Sequence, residues 1–229
     1  MDKTFEFIFT ITDDLLGRIA LRMGYPSGSR IDDAAEERIV RACDGLREII
    51  DPRVRCEYDP VAAVDHQAIR GEHVTISSAK LAGMARGTGP DVLICFAMTL
   101  GGAVDREIER RLRVSLNDAF IADAAASALL ERFAGDFERF LRDEAREGGC
   151  VLSARFSPGY CDWDLAEGQE ELFAFLDPGS IGIVKNHASA MMPEKSITGL
   201  MLRARRLKHL TPCPQCPETG CQYRRMILP

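Results

Sequence analysis

Two short stretches of this sequence carry residue types and spacings suited to chemistry. The first is Arg155-Phe156-Ser157-Pro158-Gly159-Tyr160. Proline fixes one backbone angle and glycine permits an unusual one, so the turn is stiff. Arg155 enters it with a planar fork of donors that matches a carboxylate. Tyr160 leaves it with a ring face and a hydroxyl, equipment for a sulfonium or an adenine. The six residues suit the carboxylate of an amino acid. From residue chemistry alone, a plain Pro-Gly turn whose tyrosine packs and whose arginine meets a nearby carboxylate is the favoured reading.

The second stretch is Cys213-Pro-Gln-Cys216-Pro-Glu-Thr-Gly-Cys221, three thiols on tight turns. Such spacing fits zinc or an iron–sulfur cluster. His209, four residues before Cys213, completes a Cys₃His set; alternatively, three cysteines hold a four-iron cluster with one iron open. A reduced tail with incidental thiols is the other reading. The remaining cysteines, Cys43, Cys56, Cys95, Cys150 and Cys161, are scattered. Histidines 66, 73 and 187 show no metal-ligand spacing and read as ordinary surface or core residues.

The elements that position these stretches alternate between helix and strand without the regular spacing of a doubly wound sheet, which predicts an α+β fold. Phe5–Phe9 is strand-like, Asp13–Met23 helical, and Asp33-Ala-Ala-Glu36 has the form of a capping box opening a second helix. Arg53–Tyr58 alternates like a half-buried strand, with another short strand at His73–Ile76. Asp91–Thr99 is almost wholly apolar, as a central strand buried on both faces requires. A charged helix follows at Val104–Arg113, then a long one from Asp118 to about Arg146 whose apolar residues keep the helical period. Cys150–Phe156 reads as the strand delivering the Arg155–Tyr160 loop. A helix at about Leu165–Leu176 ends at Asp177-Pro-Gly. Two strand-like stretches, Ile181–Met191 and Ser196–Leu202, close the pattern. Residues 1–210 are expected to form one domain and 211–229 a cysteine-rich tail.

Composition bounds the function classes. The chain has 229 residues, 46% hydrophobic and 28% charged, with a net charge of −6 and no long run of one sign. Nucleic-acid binding, which draws its affinity from Lys and Arg on phosphates, is not expected. The start Met1-Asp-Lys-Thr lacks the basic-then-apolar form of a secretory leader, and no apolar run is long enough for a membrane span. A cytoplasmic protein with reduced thiols is the expectation. Arg203, Arg205, Arg206, Lys208, Arg224 and Arg225 make the C-terminal end basic, either as a solvated face or as a docking surface for an acidic partner.

Arg155–Tyr160 resembles the Arg-Pro-Ala-Pro-Gly-Tyr stretch in the activation domain of cobalamin-dependent methionine synthase. Met192-Pro193-Glu-Lys-Ser196-Ile-Thr-Gly199 is similar to that family's Trp-Pro-Gly-Ala-Ser-Val-Ser-Gly. Leu21-Arg-Met-Gly-Tyr25, Thr99-Leu-Gly-Gly-Ala-Val-Asp-Arg106 and Arg155 through Trp163 resemble its small stand-alone relatives. The resemblance implies the family's α+β fold, a mostly antiparallel sheet with flanking helices. It further implies S-adenosylmethionine bound by Arg155, Tyr160 and the backbone between them, and cobalamin presented by a corrinoid-binding methyltransferase resembling methionine synthase. An electron-donor protein would complete the reactivation. Three family positions depart: Met201 stands where the second tyrosine is expected, Gly149 where a glutamate is expected, and the acidic residue near the family domain's N-terminus has no counterpart. A metal or iron–sulfur redox module serving a corrinoid protein without S-adenosylmethionine is the competing expectation, resting on the cysteine tail.

Overall fold

The computed structural model of the chain describes residues 5–26 and 28–206. Helices α1 (Asp13–Arg22) and α2 (Asp33–Arg47) lead into strand β1 (Arg53–Val64), the short strands β2 (Ile69–Gly71) and β3 (Thr75–Ile76), and helix α3 (Ala79–Arg86). Strand β4 (Val92–Thr99) is followed by α4 (Gly102–Leu112), α5 (Leu116–Glu147), β5 (Val151–Leu152) and α6 (Leu165–Leu176). A 3₁₀ turn (Pro178–Ile181), the small hairpin β6 (Val184–Lys185) and β7 (Met191–Met192), and β8 (Ser196–Ala204) complete the described chain.

The strands form a six-stranded sheet ordered β3-β2-β1-β4-β8-β5, and every described pair is antiparallel. All eight residues of β4 are buried, as its unbroken apolar run requires. Its side chains alternate between two cores. Val92, Ile94, Phe96 and Met98 join α1, α2 and α5 on one face. Leu93, Cys95 and Ala97 join α3, α6, Phe156 and Trp163 on the other. Thus one sheet separates two helical layers, an α+β arrangement.

Side-chain caps set the helix starts. Thr12 accepts from the Leu15 amide and Ser115 from that of Asp118. Asp32, not Asp33, caps α2 by accepting from Ala35 N, one residue earlier than the capping-box pattern suggests.

Three strand expectations change in the folded chain. Residues 5–12 carry no strand pairing, although Phe5, Phe7, Phe9 and Ile11 do alternate inward. Phe5 and Phe7 pack instead against the rings of Phe133, Phe137 and Phe140 of α5, so the period-two pattern meets a helix surface rather than a sheet edge. Cys150–Phe156 pairs only at β5 and at a single bridge between Phe156 and Leu200. Between them the Ser153 hydroxyl accepts from Leu202 N, replacing a ladder bond. The stretch 181–191 folds as the 3₁₀ turn and the β6–β7 hairpin rather than as one strand.

Among the described residues, Cys43, Cys56, Cys95 and Cys150 are free thiols, as expected. Burial pushes the Cys43 thiol up to about 11 and Cys56 up to about 12, leaving both unreactive. No described helix is long and apolar enough to cross a membrane.

Candidate functional site

The Arg155–Tyr160 loop lies across the outer edge of β8. Phe156 N donates to Leu200 O at 2.9 Å and Leu200 N returns a bond to Phe156 O at 2.8 Å. Close approach is possible because position 199 is glycine. A Cβ there would fall 2.7 Å from Phe156 O, 3.1 Å from Arg155 Cγ and 3.2 Å from Ser157 Oγ. Gly199→Ala is therefore expected to push the loop off β8 and cost about 2 kcal/mol of stability, read as a lower urea midpoint with unchanged slope.

The far side of the loop is tied down as firmly. Gly159 takes φ +90, its amide donating to Trp163 O at 2.8 Å, and Tyr160 N donates to Ser157 O at 3.0 Å. Trp163, fully buried, donates from Nε1 to Glu171 Oε2 at 2.9 Å. Asp162 accepts from Ser78 Oγ at 2.5 Å and Lys80 N at 3.1 Å, joining the loop to the start of α3. Gly168 of α6 leaves room for this packing, since a Cβ would lie 2.7 Å from Trp163 Nε1. Cys161 holds a positive φ of 57, backbone strain of a kind that clusters at functional sites.

The sequence marks six residues as the site, and their exposure divides them. Phe156 and Pro158 are buried and serve as anchors. Arg155, Ser157 and Tyr160 are half-buried, and Gly159 is exposed. The arginine side chain is only 12% exposed and faces α5, where Nη2 donates to Glu131 Oε2 at 2.8 Å and Nε lies 3.7 Å from Glu138 Oε1. Its third nitrogen, Nη1, is buried with no hydrogen-bond partner. Arg155 therefore meets a carboxylate of its own chain, and one of its donor groups is left over.

The electrostatics follow from that packing. Burial pushes the Glu138 carboxyl above its ordinary value, opposed by Arg155 and then Arg142. Burial works against the Arg155 charge, but Glu131 and Glu138 outweigh it and raise its pKa. The Tyr160 hydroxyl is also raised by burial, with Arg155 opposing. Arg142 braces the strand that feeds the loop, donating to Leu152 O at 2.6 Å and Ser153 O at 2.7 Å.

The other resemblance-bearing motifs gather at the start of β8. Thr99 pairs with Ser196 across β4 and β8. Asp105 Oδ2 accepts from Glu194 N at 2.8 Å, and Lys195 Nζ donates to Asp123 Oδ1 at 2.6 Å. Asp123 and Glu131 stand eight residues apart on α5, a rise of about 12 Å. Two helical carboxylates thus face the β8 edge, one on Lys195 and one on Arg155. Sequence reasoning misses Glu131 because it lies 24 residues from Arg155 inside a helix with no motif of its own. Its exposed side borders an open groove of about 640 Å³ between residues 5–14 and α5.

Both departures from the resembled motif have structural roles. Met201 is fully buried in the α1–α2–α5 core. Gly149 takes φ +69 in the turn after α5. His73, at the surface, pairs with the buried Asp59 at 2.8 Å. Cys213, Cys216, Cys221 and His209 lie outside the described residues, as does the 210/211 boundary. Among the described residues no group of three His, Cys, Asp or Glu is placed to hold a metal ion.

No protein-family model matches the chain, and no curated protein matches it by sequence. Among solved structures it is similar to a crystal structure of the MetH reactivation domain bound to AdoHcy, with a TM-score of 0.62 and 17% identity. The match covers 84% of this chain and 74% of that one. The α+β fold is therefore that of the reactivation domain.

Proposed function

We propose that this chain binds S-adenosylmethionine beside the Arg155–Tyr160 loop and supports the reductive reactivation and methylation of a corrinoid methyltransferase resembling methionine synthase. The observation that carries this reading is the buried, unpartnered Nη1 of Arg155, set on a rigid loop in a fold shared with a domain seen bound to AdoHcy. An arginine donor next to a half-exposed carboxylate complements an α-amino acid. Nη1 takes the ligand carboxylate, Glu131 takes its ammonium group, and the Tyr160 ring lies against the sulfonium or adenosyl part. Glu131 thus supplies the negative charge that Gly149 cannot.

When bound, the ligand would supply an electrophilic methyl group, transferred from sulfur to the cobalt of a partner's cobalamin with a neutral thioether as leaving group, and an electron-donor protein would supply the reducing electron. This chain then has to bind and orient only. Titration calorimetry with S-adenosylmethionine tests the reading: saturable heat at one site per chain is expected, and none with folded protein would sink it.

The thiols of Cys213, Cys216 and Cys221, with His209, add a zinc or iron–sulfur site under this reading. Anaerobically purified protein is expected to carry stoichiometric zinc or iron, lost in Cys216→Ala. A preparation free of both metals would remove the metal from the scheme.

A further inference from the structure

Arg155 meets two carboxylates of α5, and only one of them takes a hydrogen bond from it. Glu131 Oε2 accepts from Nη2 at 2.8 Å, whereas Glu138 Oε1 stands 3.7 Å from Nε. Nε and Nη2 form one edge of the planar guanidinium. The two glutamates are seven residues apart on α5, two helical turns, so they reach that edge from the same helix face. Nη1, the buried donor without a partner, takes part in neither contact.

Glu138 also faces a second arginine. Arg142 Nη2 is 3.9 Å from Glu138 Oε2, and the same side chain donates to Leu152 O and Ser153 O. One carboxylate therefore sits between the cation that holds residues 152 and 153 and the cation at 155. Its side chain is only 20% exposed, so water and salt screen its charge weakly. Burial opposes that charge, and the two arginines are what oppose burial. Glu131 by itself permits two arrangements of the fork, through Nη2 alone or through both Nη atoms.

We propose that Glu138 is a positioning residue for the ligand site: its charge holds the Nε–Nη2 edge of Arg155 against α5, which keeps Nη1 out of the pair with Glu131 and free for a ligand carboxylate. This rests on the reading of Nη1 as the donor to that carboxylate. Without the charge, the fork turns to give both Nη atoms to Glu131, and a ligand has to break that pair to bind. Affinity then depends on the ionisation of a residue that does not touch the ligand. The charged and titratable groups facing Glu138 are Glu131 and Arg142 of α5, and Arg155 and Tyr160 of the loop. Because the charged form holds the fork, tight binding is complete above the folded pKa of Glu138 and lost as pH falls through it.

Glu138→Gln keeps the shape of the side chain and removes its charge. Calorimetry with S-adenosylmethionine on the full chain is expected to show the variant about 10-fold weaker than wild type near pH 8, with the gap closing toward about pH 5. Ionisation of the ligand itself affects both proteins alike and cancels in that ratio. A ratio of one throughout overturns the proposal. So does a deficit that stays constant with pH, the mark of a merely structural role. A second readout needs no ligand. In isotope-labelled wild type the Arg155 Nε–H proton is expected to exchange about 10-fold more slowly than that of Arg41, whose side chain is 70% exposed, and to lose that protection in Glu138→Gln. A wild-type Arg155 proton as fast as that of Arg41 overturns the proposal, as does protection unchanged in the folded variant. If wild type gives no heat with S-adenosylmethionine, the ligand reading falls, while the exchange measurement still decides whether Glu138 holds the fork.

Discussion

Arg155→Ala is expected to weaken S-adenosylmethionine binding at least 100-fold and to lower folding stability by about 3 kcal/mol. The two losses have separate causes. Binding falls because Nη1 is the donor left for a ligand carboxylate. Stability falls because Glu131 and Glu138 lose their shared cation. Glu138 matters more, since its side chain is 20% exposed while that of Glu131 is 40% exposed and better screened by water. Glu138 is already pushed up by burial, and without Arg155 it rises further. A carboxyl whose folded pKa lies above its unfolded value destabilises the fold as pH rises through that interval. The deficit of Arg155→Ala should therefore be largest near pH 7 and shrink toward about pH 4, where both states protonate. Urea titrations at pH 5 and pH 7 measure this directly. Arg155→Lys keeps a charge but loses the fork, so it should recover stability more than affinity. A folded Arg155→Ala protein that binds S-adenosylmethionine like wild type would overturn the site.

The sequence is most informative where one residue run decides an element by itself. The apolar stretch of β4 and the helical period of α5 are signals of this kind, as is the Asp177-Pro-Gly stop after α6. Local stiffness at Pro158-Gly159 likewise marks the loop from its residue types alone. What stays hidden depends on contacts between distant segments. The strand signal of β1 stops at Tyr58, because Pro60 lacks an amide hydrogen and argues against a strand interior. The strand nevertheless continues, since residues through Pro60 pair with β4 and Val61–Val64 turn to β2 through a bulge. Proline is tolerated at the point where the strand changes partners. Gly199 looks like part of a motif, but its purpose emerges only with the loop carbonyl 2.7 Å from where a Cβ would stand. Glu131 and Glu138 look like the solvated face of an amphipathic helix until Arg155 folds against them.

Asp59→Ala is expected to cost about 4 kcal/mol, the largest stability loss of any single polar substitution proposed for this chain. The carboxylate is fully buried and fills the turn between β2 and β3. Oδ2 accepts from His73 N at 3.0 Å and Val74 N at 2.9 Å, while Oδ1 meets His73 Nδ1 at 2.8 Å. Gly71 is required beside it, because a Cβ would lie 1.8 Å from Oδ2. Removing the carboxylate leaves the buried Val74 amide and the part-buried His73 amide without their acceptor, while the exposed imidazole turns to water. Asp59→Asn keeps one acceptor oxygen and should cost less.

Burial alone would raise the Asp59 carboxyl, but the His73 ring and the two amides outweigh it and hold it below its ordinary value. Its contribution is then complete above about pH 4 and lost as pH falls through the folded value. His73 is raised chiefly by its bond to Asp59. That contribution is complete below about pH 6.5 and lost as pH rises through the folded value. Wild type should therefore gain most from the pair between about pH 4 and 6.5, and the alanine variant should lose both limbs of the profile. Strand β3 leads directly to Ser77 and Ser78, whose hydroxyls bond Glu171 and Asp162 on either side of Trp163. The emission of Trp163, the single tryptophan, should then report the same midpoint as far-ultraviolet dichroism. A turn that melts without moving Trp163 would show that the loop is held by α6 and β8 alone. An unchanged midpoint in Asp59→Ala would show that the buried carboxylate and its pairing with His73 are dispensable to the fold.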